Sequence, residues 1–179
     1  VIASVAAVAV AALITYRGLA REEALRDRLV LIGLRLAVVA VLLLYLVAAT
    51  ALGIAIAPAL WVASKIFILA KPFAPVPAWA LRGFAIALSW FIFGLALLAV
   101  VPLYNLVLPT RFKPFKGGYY TLHAVPWFIH NGLFYLVRFT FLPFATLTPF
   151  GIWFLKSMGM KIGRHAFINT ELISDPRFI

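Results

Sequence analysis

Two apolar runs restrict what this chain can fold into. From Leu29 to Ala57 the sequence is almost uninterrupted in apolar residues, with Arg35 its one charge, and Gly83 to Leu108 is a second such run carrying Trp90. About 18 or more consecutive apolar residues mark a candidate membrane-spanning helix. At about 1.5 Å per residue the first run would be a helix roughly 43 Å long, more than the ~30 Å hydrocarbon core, so it must tilt or protrude. Arg35 stands about two turns from the charged end, near enough to snorkel to the head groups, with a functional intramembrane charge as the second reading. Pro58 should end or kink this helix. Composition agrees: 65% of the residues are hydrophobic and the mean hydropathy is +1.08, against about 45–50% apolar in a soluble domain.

Between the runs, Ala59 to Arg82 mixes Trp61, Lys65, Lys71, Trp79 and Arg82 with Pro72, Pro75 and Pro77. This reads as a short membrane-surface helix followed by a proline-rich turn. The alternative is a hairpin of two spans over Leu29 to Ala70. Val1 to Tyr16 reads as a truncated span, and Arg17 to Arg28 as a short solvated connection in which Glu22 stands four residues before Arg26, the spacing of a helical ion pair. The chain begins without Met and stops at Ile179, so it is expected to be a fragment. Its net charge of +11 would suggest nucleic acid in a soluble chain. Here the cations sit mostly at the ends of apolar runs, which fits a lipid bilayer with anionic head groups and no nucleic acid. With no cysteine there is no disulfide framework, thiolate metal site or cysteine nucleophile.

Thr110 to Thr121 combines Arg111, Lys113 and Lys116 with Gly117-Gly118 and four aromatic residues, a basic loop for the head-group level. Pro126 to Leu155 is apolar and aromatic, but Arg138, Pro143 and Pro149 divide it into pieces too short to cross, so it is expected in the interface. Arg138 is the candidate for holding a lipid or acyl-donor phosphate; an arginine facing head groups is the other reading. His123 and His130 are seven residues apart, with Pro126 between them, and read as interfacial packing. No metal site is indicated.

From Met158 the pattern changes. Ile162 and Ile168 are six apart, as are Ile173 and Ile179, and Gly163 follows Ile162. Six residues with one inward aliphatic side chain and a small corner residue make one side of a left-handed β-helix coil. The step from Ile168 to Ile173 breaks the register once, and Ser174-Asp175-Pro176 supplies turn chemistry. The expected architecture is therefore a mainly α, polytopic membrane protein leading into the first coil of a left-handed parallel β-helix. Its parts would be a helical membrane region (1–108), a basic and aromatic interfacial segment (109–157) and the β-helix start (158–179).

The stretch GMKIGRHAFINTELISDP, Gly159 to Pro176, resembles the beginning of the β-helix in hexapeptide-repeat acyltransferases. Pro109, Arg111, Lys113, Gly117 and Tyr119, followed by Thr148-Pro149 and by Gly159 to Gly163, resemble a membrane-embedded branch of that group. That branch includes the C-terminal region of peptide-synthetase-like proteins of the polylysine synthase type. The resemblance implies transfer of an acyl group from an acyl-CoA or acyl-carrier thioester to a lipid-linked or cell-envelope acceptor. It also implies a general-base histidine on a later coil; His165, on the first turn, is the candidate within this chain. A surface role for His165 is the alternative, with the catalytic residues beyond Ile179. The non-enzymatic reading is a membrane scaffold whose coils make a homo-oligomer. A transporter would want polar or broken helices at mid-membrane. Excess Lys and Arg place Arg17 to Arg28 and everything after Pro109 on the cytoplasmic side of a cytoplasmic membrane.

Overall fold

The computed structural model describes residues 25–108, 110 and 121–179. The chain divides into two units, Val1–Leu46 and Val47–Ile179. In the first unit the described residues all belong to helix α1, Leu25–Leu69, which continues into the second. Val30, Leu34, Leu36, Leu43 and Leu46 are each more than half exposed, on a stretch whose one charge is Arg35. Such a surface is stable only in lipid or against another protein. Val30–Leu69 and Pro75–Val107 are both long and apolar enough to cross a membrane.

The first span differs from expectation in its end. Pro58 lies inside α1, which runs on to Leu69, so neither a separate surface helix after Ala59 nor a two-span hairpin forms. An internal proline removes one backbone hydrogen bond, but packing partners make this tolerable in an apolar helix. Ala51, Ala55, Ala59 and Ala63, every fourth residue, are buried, and Ser89 Oγ of the next helix donates to Ala59 O at 3.0 Å. Small residues allow that close approach. The chain turns only at Ala70–Ala74, and α2, Pro75–Val107, starts on a proline at its first position, where the missing N–H has no helical partner to lose. Lys65 lies over the Trp61 ring and Arg82 over Trp79, a cation–aromatic belt suited to head-group depth. From Arg82 to Asn105 is 23 residues, roughly 34 Å of helix and close to the ~30 Å core.

The segment expected to lie flat in the interface instead packs along α2. It forms α3 (Val125–Arg138), α4 (Leu142–Ala145) and α5 (Pro149–Ser157). His130 Nδ1 lies 2.8 Å from Asn105 Oδ1, while the Phe141 ring lies where a side chain on Gly94 would stand. Gly94 precedes Asn105 by eleven residues and Phe141 follows His130 by eleven, so the two stretches run antiparallel in step. The turn therefore lies about 16 Å along α2 from Asn105. The chain turns there on Trp90, Phe141 and Phe144, whose rings lie about 6 Å apart edge to face or stacked. It comes back as α5, with Phe154 stacked on Phe134 at 5.9 Å. Thr148 caps α5 and Gly151 is packed so close to Ala145 O that a Cβ would stand 2.5 Å away.

The β-helix expectation is overturned. Among the described residues there is no strand, and 158–179 is loop, turns and one 3-10 turn, Pro176–Phe178. Gly159 (φ +103) ends α5 instead: Met160 N–H donates to Leu155 O and Gly159 N–H to Lys156 O, both at 3.0 Å, the paired bonds of a glycine-terminated helix. Gly163 has open space around it and no positive φ, so it turns no corner; the left-handed residue is His165, at φ +61. Ile162 and Ile168 pack on the helical core as partly buried residues, Ile173 is buried within it, and Ile179 is exposed. Their spacing thus reflects how a loop covers a helical layer. One backbone bond, Lys161 N–H to Ile179 O at 2.9 Å, closes the loop without a ladder. The truncated span Val1–Tyr16, most of the Arg17–Arg28 connection and the basic loop at 111–120 lie outside the described residues.

Candidate functional site

Polar groups gather where α2 ends. Trp127 and Asn131, one turn apart on α3, share a face, and both donate to Asp175 Oδ1, at 2.8 and 3.0 Å. Asn131 also donates to Trp127 O, so its two N–H groups are directed at acceptors and its Oδ1 is fixed as the other atom. That Oδ1 is buried with no hydrogen-bond partner among the described residues. With Asn105 Oδ1 as acceptor, the neutral His130 imidazole carries its proton on Nδ1. Burial first, and then the positive charge of Arg177, push the His130 pKa down to about 4, with Asp175 pulling the other way. Arg177 Nη1 donates to Thr110 O at 2.9 Å, and Thr110 Oγ1 donates to Asn105 O at 2.6 Å. These contacts tie the terminal loop to the end of α2.

Beside this network an open cleft of about 590 Å³ runs between α2 and α5. Ala99, Leu103 and Leu106 form its α2 wall and Trp153 faces them from α5. Asn105, Thr110 and Ser157 are its polar lining, and Lys161 and Arg177 stand at the loop side. Gly159 positions that side, because a Cβ there would come within 3.3 Å of Arg177 Cγ and its φ of +103 disfavours other residues. The cleft is thus apolar along a span and cationic beyond the span's end, a shape that can hold an amphiphile.

The residues singled out from sequence lie elsewhere. Arg138 ends α3, partly buried, with its guanidinium 5.4 Å from the Tyr135 and Phe139 ring centres, an arrangement that shields a cation with aromatic faces. His165 is exposed on its turn and lines no part of the cleft. His123 is exposed, whereas His130 is buried, so these two histidines do not form a pair. Asn105, Asn131, Asp175 and Arg177 were not anticipated. Their signal was that Asn105, His130 and Asn131 are isolated polar groups in apolar helices, where a partner is needed.

No protein family, curated protein or solved structure matches this chain.

Proposed function

We propose that this chain is the membrane-bound part of an acyltransferase that takes an acyl group from an acyl-CoA or acyl-carrier thioester and gives it to a lipid-linked or cell-envelope acceptor. The observation that supports the reading is the cleft between α2 and α5, which joins an apolar wall on a candidate span to a polar, cationic end. An acceptor lipid lying there would be held at the depth where a soluble donor can reach it, a gain in local concentration. In the reaction the acceptor hydroxyl or amine attacks the thioester carbonyl, the C–S bond breaks, and the released thiol takes the acceptor's proton. The chain would sit in a cytoplasmic membrane, with Lys71 in an external turn and the cleft on the cytoplasmic side, where the greater share of Lys and Arg falls.

A non-catalytic membrane module is the second reading, and one observation favours it. Ser157, the hydroxyl lining the cleft, donates to Phe154 O at 2.6 Å rather than to a base. The deciding experiment gives the full-length protein in membranes a radiolabelled acyl thioester and follows label into lipid and glycan. Label should reach a membrane acceptor; its absence, with the protein folded and donor intact, hands the function to the module reading.

A further inference from the structure

We propose that the cleft between α2 and α5 is a binding site for one membrane lipid with an anionic, phosphate-bearing head group. The head group would be held by Lys161 and Arg177 and one acyl chain laid against Ala99, Leu103 and Trp153. This rests on the functional reading above only in naming the class of its acceptor, and the binding itself stands on the geometry.

Three observations select this occupant. The two charged side chains lining the cleft are both cations, whereas the nearby Asp175 already accepts from Trp127 and Asn131 on the α3 side. A zwitterionic lipid would bring its own cation to the same place, so the charge favours a net anion. The wall is continuous with a helix apolar enough to cross a membrane, and Ala99, Leu103 and Leu106 extend from the polar end toward the middle of that helix. A small soluble anion would leave this wall wet. Finally, Arg177 is held in place, by its bond to Thr110 O and by the close pass of Gly159, so its orientation is set before a ligand arrives, which lowers the ordering cost of binding.

The test uses the full chain, purified in neutral detergent without acyl donor, and native mass spectrometry to titrate phosphatidylglycerol, phosphatidylcholine and, separately, glycerol phosphate. A basic side chain near an anionic lipid surface contributes about a fivefold factor, so two predict phosphatidylglycerol bound about 25-fold more tightly than phosphatidylcholine at a single site. Lys161→Gln, at an exposed position, should reduce phosphatidylglycerol affinity about fivefold and leave phosphatidylcholine unchanged. Ala99→Trp, also at an exposed position, should fill the wall and weaken both lipids. Because Arg177 also holds the Thr110 carbonyl, Arg177→Gln is read only beside these two variants. Equal binding of the two lipids, no effect of Lys161→Gln, or glycerol phosphate binding as tightly as phosphatidylglycerol would each overturn the proposal. Selective binding without any acyl transfer would remove the enzyme reading and leave the lipid site standing. Transfer without selective binding would do the reverse.

Discussion

Val30 to Leu46 of α1 and Leu97 to Val107 of α2 are similar in composition, but only the second has one face buried against protein, its other face carrying exposed Leu103, Leu106 and Val107. In the first stretch the large side chains are mostly exposed around the whole helix. In the second, Leu97, Leu98 and Val101 are fully buried, and Asn105 reaches a partner on α3. Hydrophobicity alone cannot separate the two, because lipid and protein interior accept the same side chains. What separates them is the polar residue: an exposed hydroxyl on an apolar helix turns back on its own backbone, as Thr50 Oγ1 farther along α1 does to Val47 O at 2.9 Å. One on a protein-packed helix can find a partner across an interface. The packed half of α2 is therefore where a site can be built.

That contrast can be broken most severely at glycine. A Cβ on Gly94 would overlap the Phe141 ring, whereas Gly33 of α1 has nothing within 4 Å. Gly94→Leu should destabilise the protein by about 3 kcal/mol through overpacking, and Gly33→Leu by less than about 0.5. Thermal unfolding of both variants in detergent reads the difference; equal midpoints would mean that α3–α4 does not lie on α2.

The next effect is a pH dependence. His130 titrates near 6.5 when unfolded and near 4 when folded, so between those values the unfolded chain binds the extra proton. Stability from the neutral imidazole is then fully present above about pH 6.5 and lost as pH falls toward 4, by on the order of 2–3 kcal/mol. His130→Gln should flatten that part of the stability–pH curve. An unchanged slope in the variant would assign the acid lability to other groups. Asp175→Ala is smaller, about 2 kcal/mol, because it strands the Trp127 donor and that of buried Asn131, while the partly exposed position of Asp175 lets water replace the carboxylate. Differential hydrogen exchange of α3 against α1 would locate the loss; a loss spread evenly over both helices argues against the network.

Much of the helical layout was legible. The two long apolar runs mark the two candidate spans, Val30–Leu69 and Pro75–Val107, and on the second Arg82 and Asn105 stand 23 residues apart. Proline misled in both directions. A proline after a long apolar run predicts an end or a kink at Pro58, yet the helix continues past it with its alanine face packed, and Pro75 opens a helix where the sequence predicts a turn. The isoleucine spacing after Met158 misled for a different reason: six-residue intervals also arise when a loop sets every few residues against a helical core, as Ile162, Ile168 and Ile173 do. The cleft was invisible because its walls come from residues about 50 to 80 positions apart in sequence, and only their packing brings Lys161 and Arg177 to the end of α2.

The finest test of the contrast compares hydroxyls. Ser64 Oγ donates to Trp61 O of its own helix at 2.7 Å, a bond available in any surroundings, whereas Ser89 Oγ crosses from α2 to Ala59 O of α1. Interhelical hydrogen bonds of this kind contribute about 0.6 kcal/mol in membranes, because a separated helix finds other partners for its hydroxyl. Ser89→Ala should therefore lower stability by about that amount, and Ser64→Ala should leave it within error. The reciprocal variant Ala59→Leu would force the helices apart and should exceed both, since Ala59 is nearly fully buried and an added side chain there costs about 1–3 kcal/mol. If Ser89→Ala and Ala59→Leu were both silent in a detergent unfolding assay, α1 and α2 would not be packed through this face, and the region of α1 that faces lipid would extend through Leu69.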